Sequence, residues 1–151
     1  MLDQIRDLYQ EVVFDHNRNP RNFRVMEDAT RKIEGFNPLC GDKITLYVKV
    51  NGGVIEDVSF QGSGCAISTA SASLMTEIVK GQTEDEAQHL FDLFHRITTG
   101  KNDEAVNLED IGKLAVLAGV RAYPARVKCA TLAWHSLQAA LKNEADTVST
   151  E

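Results

Sequence analysis

Strict alternation over residues 43–50 constrains this chain more than any other feature. Ile44, Leu46, Val48 and Val50 take every second position between Lys43, Thr45, Tyr47 and Lys49, and a period of two sends the two sets to opposite faces of a strand. Asn51-Gly52-Gly53 follows. These residues accept the positive φ of a tight turn, so the chain should return as a second arm over residues 54–61, with Val58, Phe60 and either Val54 or Ile55 as its apolar positions. A hairpin by itself is marginal in water. Its apolar face must be covered by other elements, and a weaker strand signal over residues 31–36 would widen it to three strands.

Helices supply the cover. Leu2, Ile5, Leu8, Tyr9, Val12 and Val13 recur at three-and-four spacing, which predicts an amphipathic helix ending near His16, itself read as a C-terminal cation or cap. Residues 17–22 hold a proline and three asparagines and read as an exposed loop rimmed by Arg18 and Arg21. A small-residue run from Ala66 opens a second helix that stops at Gly81. Thr83 and Glu86 form a capping box ahead of the stripe Ala87, Leu90, Phe91, Phe94 and Ile97. Asn107 and Asp110 open a fourth helix that Gly119 ends, and Pro124 suits the first turn of a fifth carrying Val127, Cys129, Leu132, Trp134, Leu137 and Leu141. Phe91, Phe94 and Trp134 read as core. The expectation is α+β, with a small three-stranded antiparallel sheet packed with about five helices in one domain over residues 1–142, then a polar, frayed tail over 143–151.

A length of 151 residues fits one core. With 16 Lys plus Arg against 22 Asp plus Glu, the net charge of −6 opposes the field a phosphate backbone selects, so nucleic acid is not expected as a partner. No apolar run approaches the roughly 18–20 residues that cross a bilayer, and Asp3 and Arg6 stand in a start with no apolar stretch behind it. No membrane association and a cytoplasmic location are expected. Three cysteines are too few and too odd in number for a secreted disulfide framework, which leaves them as thiols.

Those thiols stand in three unusual settings. In Asn37-Pro38-Leu39-Cys40-Gly41-Asp42, an extended backbone would point Cys40 and Asp42 to one side, where thiolate and carboxylate share a cation. Gly62-Ser63-Gly64-Cys65 puts a thiol at the mouth of a helix, where unpaired amides favour the thiolate. Arg126-Val127-Lys128-Cys129 puts the third beside two cations in a helix's opening turns. Three thiols and a carboxylate form a donor set that tetrahedral zinc accepts. Separations of 25 and 64 residues match no zinc-finger spacing, and buried inert cysteines are common, so on residues alone the core-thiol reading stays open beside the metal or reactive-thiol one. The histidines do not join the set: His135, six residues past Cys129, lies about 240° round the helix. Ser63 lacks the glycine offsets of a nucleophile elbow.

Taken together, Asp15-His16 through Asn19-Pro20-Arg21-Asn22, the segment from Asn37 to Asp42, Gly62-Ser63-Gly64-Cys65-Ala66-Ile67-Ser68, Ala70-Ser71-Ala72-Ser73 and Pro124-Ala125-Arg126-Val127-Lys128-Cys129-Ala130-Thr131-Leu132-Ala133-Trp134 resemble the SufU branch of the IscU/NifU-N family of iron-sulfur cluster assembly proteins. The resemblance covers about residues 2–141. It implies a SufE/NifU-like, IscU-like fold in which Cys40, Asp42, Cys65 and Cys129 gather at one tip as metal ligands. IscU-type members place a histidine before the last cysteine, whereas this chain has Lys128, which when protonated has no lone pair to give a metal. The stretch between Cys65 and Cys129 is also longer than in IscU-type members. Both departures are those of SufU. The resemblance then implies a zinc-dependent sulfurtransferase that accepts persulfide sulfur on Cys40 from a SufS-type, pyridoxal-phosphate-dependent cysteine desulfurase. A histidine of the desulfurase would replace Cys40 on zinc, Arg126 would steady the freed thiolate, and downstream iron-sulfur assembly proteins would take the sulfur on. The alternatives are an IscU-like scaffold that builds an iron-sulfur cluster, or holds iron, on the same ligands, and a purely structural zinc.

Overall fold

A computed structural model describes residues 2–38, 41–99, 120, 124–142 and 147–149. Helix α1 (Leu2–Arg18) precedes strands β1 (Arg31–Asn37), β2 (Asp42–Asn51) and β3 (Val54–Ser63). Helices α2 (Ala66–Val79) and α3 (Glu84–Thr99) follow, then a 3-10 turn (Pro124–Arg126) that runs into α4 (Val127–Lys142), and a short strand β4 (Thr147–Ser149). The helix expected over residues 107–119 lies outside the described residues.

The hairpin forms where the alternation puts it, β2 and β3 pairing antiparallel from Lys43↔Ser63 to Asn51↔Val54 with an irregularity between Lys49 and Val50. Ile55, not Val54, is the buried residue of the return arm. The weaker signal is also a strand: β1 pairs antiparallel with β2 from Arg31↔Val48 to Asn37↔Asp42. The expected three-stranded antiparallel sheet is thus present, and one strand was missing from the expectation. Residues 147–149, read as part of a frayed tail, add to β1 in parallel and complete the order β3-β2-β1-β4. Three residues are too short a segment to display a strand's period, and backbone pairing on a sheet edge needs no apolar pattern.

The core lies between one face of this sheet and helices α2 and α4, with Ile33, Leu46, Val48, Val58, Leu74, Leu132 and Leu137 almost wholly excluded from water. Helix α3 starts on the capping box read from sequence. The Thr83 amide donates to Glu86 Oε1 at 3.2 Å and the Glu86 amide to Thr83 Oγ1 at 3.1 Å. It docks on α4 through Phe94, whose ring stacks on Trp134 at 4.9 Å, and through Phe91, which meets the edge of His135 at 5.3 Å. The aromatic stripe is therefore core, as expected. His16 does stand in the last turn of α1, yet it is only 4% exposed, and its Nδ1 lies 2.7 Å from Ser73 Oγ on α2. It ties two helices together rather than dressing a helix end in solvent. Among the described residues no helix is long and apolar enough to cross a membrane.

Candidate metal centre

The site is built where β1 turns into β2. Asn37 and Asp42 are cross-strand partners at the end of the ladder, and both side chains are buried, at 0% and 2% exposure. Gly41 has φ +70°, so the backbone turns there in the left-handed region that glycine permits. An extended run would have put Cys40 and Asp42 on one side, and this turn removes the premise of that expectation. Cys40 itself lies outside the described residues.

The β2–β3 register sets the end of β3 beside Asp42, and the chain then leaves the sheet through Gly64 to enter α2. A Cβ on Gly64 would collide with the Asp42 carboxylate and Cα, and its φ of +151° disfavours a side chain independently. This close approach lets the Cys65 amide donate to Asp42 Oδ1 at 2.8 Å. Cys65 is the N-cap of α2, its Sγ accepting from the Ser68 amide at 3.4 Å, so an amide of the helix's first turn faces the sulfur. The mouth-of-helix setting read from sequence is observed. Cys129, the third residue of α4, is wholly buried, and its Sγ accepts from Asn37 Nδ2 at 3.3 Å.

Asp42, Cys65 and Cys129 converge. One ligand atom from each lies within 4.8 Å of the others, and Asp42 Oδ2 stands 3.9 Å from Cys65 Sγ. Zinc bonds of about 2.3 Å to sulfur and 2.0 Å to oxygen in a tetrahedron give ligand separations of roughly 3.5–3.8 Å, so this donor set fits a small, borderline-soft cation. Two sulfurs and one oxygen also leave a fourth position. Arg126 stands three residues ahead of Cys129. It is exposed in the 3-10 turn before α4, where it lines, with Gln10, Val13, Phe14, Asn17, Ala66 and Ile67, an open and largely apolar groove of about 370 Å³ that borders the start of α2.

Sequence reasoning passed over two residues here. Asn37 was named only as the first residue of the segment that carries Cys40, Gly41 and Asp42. The need for Gly64 was hidden because Asp42, the group that would collide with a side chain, is 22 positions away.

Residues 8–130 match the family described as the NifU-like N terminal domain. The chain belongs to the IscU/NifU-N family. It is similar to the zinc-dependent sulfurtransferase SufU of Bacillus subtilis (strain 168), at 41% identity over 91% of each chain. The iron-sulfur cluster assembly scaffold protein IscU of Streptococcus pyogenes serotype M1 is equally close, at 41% over 96% of this chain and 89% of that one. A crystal structure described as a candidate scaffold protein for the SUF system from the thermophile Fervidobacterium islandicum AW-1 superposes with a TM-score of 0.82 at 36% identity, covering 89% of this chain and 96% of that one. Family members therefore share this fold and include relatives named for both activities considered above.

Proposed function

We propose that this chain is a zinc-dependent sulfur-transfer protein of iron-sulfur cluster biogenesis, accepting persulfide sulfur on Cys40 from a SufS-type cysteine desulfurase. The observation that carries the reading is the meeting of Asp42, Cys65 and Cys129 at a helix start where Lys128 replaces a potential histidine ligand. With Cys40 as the fourth donor, the set is three thiolates and one carboxylate, because a protonated lysine adds nothing to it. Similarity to the Bacillus subtilis protein named as a zinc-dependent sulfurtransferase supports the same choice. Bound zinc would keep such thiolates deprotonated without redox change.

The cysteines divide the work. Cys65 caps α2 and Cys129 is buried in α4, so both are anchored, and Cys40, between Pro38 and Gly41 in sequence, is the thiol assigned to leave the metal. As a thiolate, Cys40 attacks the terminal sulfur of the donor's persulfide. A bond forms between Cys40 Sγ and that sulfur, the donor's own S–S bond breaks, and the donor cysteine leaves as thiolate. The proton on the terminal sulfur travels with it, and no net oxidation occurs. Arg126 supplies a cation near the mouth of the site for the outward-turned thiolate. A reducing cytoplasm suits thiols used in this way, and downstream iron-sulfur assembly proteins are the natural acceptors.

The similarity to the Streptococcus pyogenes scaffold protein favours a second reading, in which the same ligands carry an iron-sulfur cluster. Alanine release by a SufS-type desulfurase, measured with zinc-loaded and metal-stripped protein, separates the two. Acceleration by the zinc-loaded form alone, lost in Cys40→Ser, supports sulfur transfer. No acceleration by either form refutes it and leaves the scaffold.

A further inference from the structure

The Asn37 side chain stands behind the ligands and touches two of them. Its Nδ2 donates to Asp42 Oδ2 at 3.1 Å and to Cys129 Sγ at 3.3 Å. An ionised carboxylate and a thiolate only accept, so the amide must present its NH2 to them, and its two hydrogens match the two acceptors. Asn37 is completely buried, and its Oδ1, directed away from those acceptors, has no hydrogen-bond partner among the described residues. A buried orphan carbonyl lowers the stability of the fold. What an apolar side chain of the same size could not supply is the pair of donors, and both go to Asp42 and Cys129.

We propose that Asn37 is a positioning residue of the metal centre: one buried amide clamps the Asp42 carboxylate of the sheet and the Cys129 sulfur of α4 into ligating geometry. The inference rests on the metal reading given under Proposed function and assigns a role to a residue that is not itself a ligand. Asp42 begins β2 and Cys129 lies in the first turn of α4, so without the clamp two like-charged ligands would be free to turn apart. A hydrogen bond to a metal-bound thiolate also draws electron density from sulfur and lowers its nucleophilicity, as the Ser68 amide does at Cys65. Cys129 is thereby kept as a standing ligand. Outer-shell partners of this kind change metal affinity by about 10–100-fold when removed.

The test uses Asn37→Leu in the full chain, close to asparagine in size and lacking both the donor pair and the orphan oxygen. Three quantities are measured: zinc affinity by competition with a chelating dye, the sulfur-to-cobalt charge-transfer band of the Co(II)-substituted protein, and the melting temperature of the metal-stripped protein. The expected result is zinc affinity weakened by about 10–100-fold and a charge-transfer band shifted to lower energy, in a metal-stripped protein that still melts cooperatively. Unchanged affinity and band position with a lowered melting temperature would overturn the proposal, because they describe a residue that only packs. Should Asn37→Leu fail to fold, Asn37→Ala is judged on affinity and band alone, and wild-type values for both overturn the proposal. Wild-type protein that binds neither zinc nor cobalt would take down the metal reading as well, which distinguishes that failure from a failure at Asn37.

Discussion

Two buried polar clusters sit on α2, and they are wired in opposite ways. At its N-terminus, Asp42, Cys65 and Cys129 bring acceptors together, Asn37 donates to two of them, and its buried Oδ1 is left without a partner among the described residues. Two turns further along, Ser73 Oγ accepts from the Arg21 amide at 2.9 Å and meets His16 Nδ1 at 2.7 Å. His16 Nε2 faces Glu77 Oε1 at 3.7 Å. Asn22 Nδ2 donates to Thr76 Oγ1 at 3.0 Å, and that hydroxyl donates to the Ser73 carbonyl at 2.7 Å. In this second cluster donors and acceptors satisfy one another. A closed network holds elements together, whereas acceptors that converge suit a cation between them.

The comparison breaks most visibly at a ligand. Cys129→Ser should take zinc content from stoichiometric to negligible by metal analysis after dialysis, because a buried thiolate donor is lost from a set of few. Gly64→Ala should come next: a Cβ pushed against Asp42 forces the turn into α2 to shift, costing about 1–3 kcal/mol in denaturant unfolding and weakening metal binding with it. Ser73→Ala, at the closed cluster, should cost about 1–3 kcal/mol through the partners it strands, yet leave the zinc affinity of the folded protein at the wild-type value. Loss of zinc affinity in Ser73→Ala would erase the distinction between the clusters.

The smallest effect is expected at the seam between α3 and α4. Burial holds the His135 imidazole below the ordinary histidine range, and the nearby His95 adds to the shift. His135 therefore takes up its proton more readily in the unfolded chain. Its contribution is present above the ordinary histidine pKa near 6.5 and is lost as pH falls through that range. Melting temperatures between about pH 7.5 and 5 should fall less steeply in His135→Gln than in the wild type.

What could be read in advance follows the range of the forces involved. The hairpin, the capping box at Thr83 and Glu86 and the aromatic stripe of α3 are local patterns, and each stands where its period or spacing put it. Cys65 as a helix cap was legible for the same reason. The convergence of Cys65 with Cys129 was not, since nothing local links positions 64 residues apart and the resemblance alone implied it. Gly41 defeated the simple alternation argument by turning the chain. Tyr47, assigned to the polar side of β2, is buried, with the Lys32 ammonium over its ring at 5.8 Å, because a long residue on the outer face found cover that strand periodicity does not encode. Asn37 could not be singled out without its two acceptors, 5 and 92 residues away.

Zinc K-edge X-ray absorption of the zinc-loaded chain tests the central claim most directly, since it counts the donors at the metal. Three sulfurs near 2.3 Å and one oxygen near 2.0 Å, falling to two sulfurs in Cys40→Ser, are the result expected if Cys40, Asp42, Cys65 and Cys129 form the centre. A shell of oxygen and nitrogen donors alone, or one unchanged in Cys40→Ser, would contradict it.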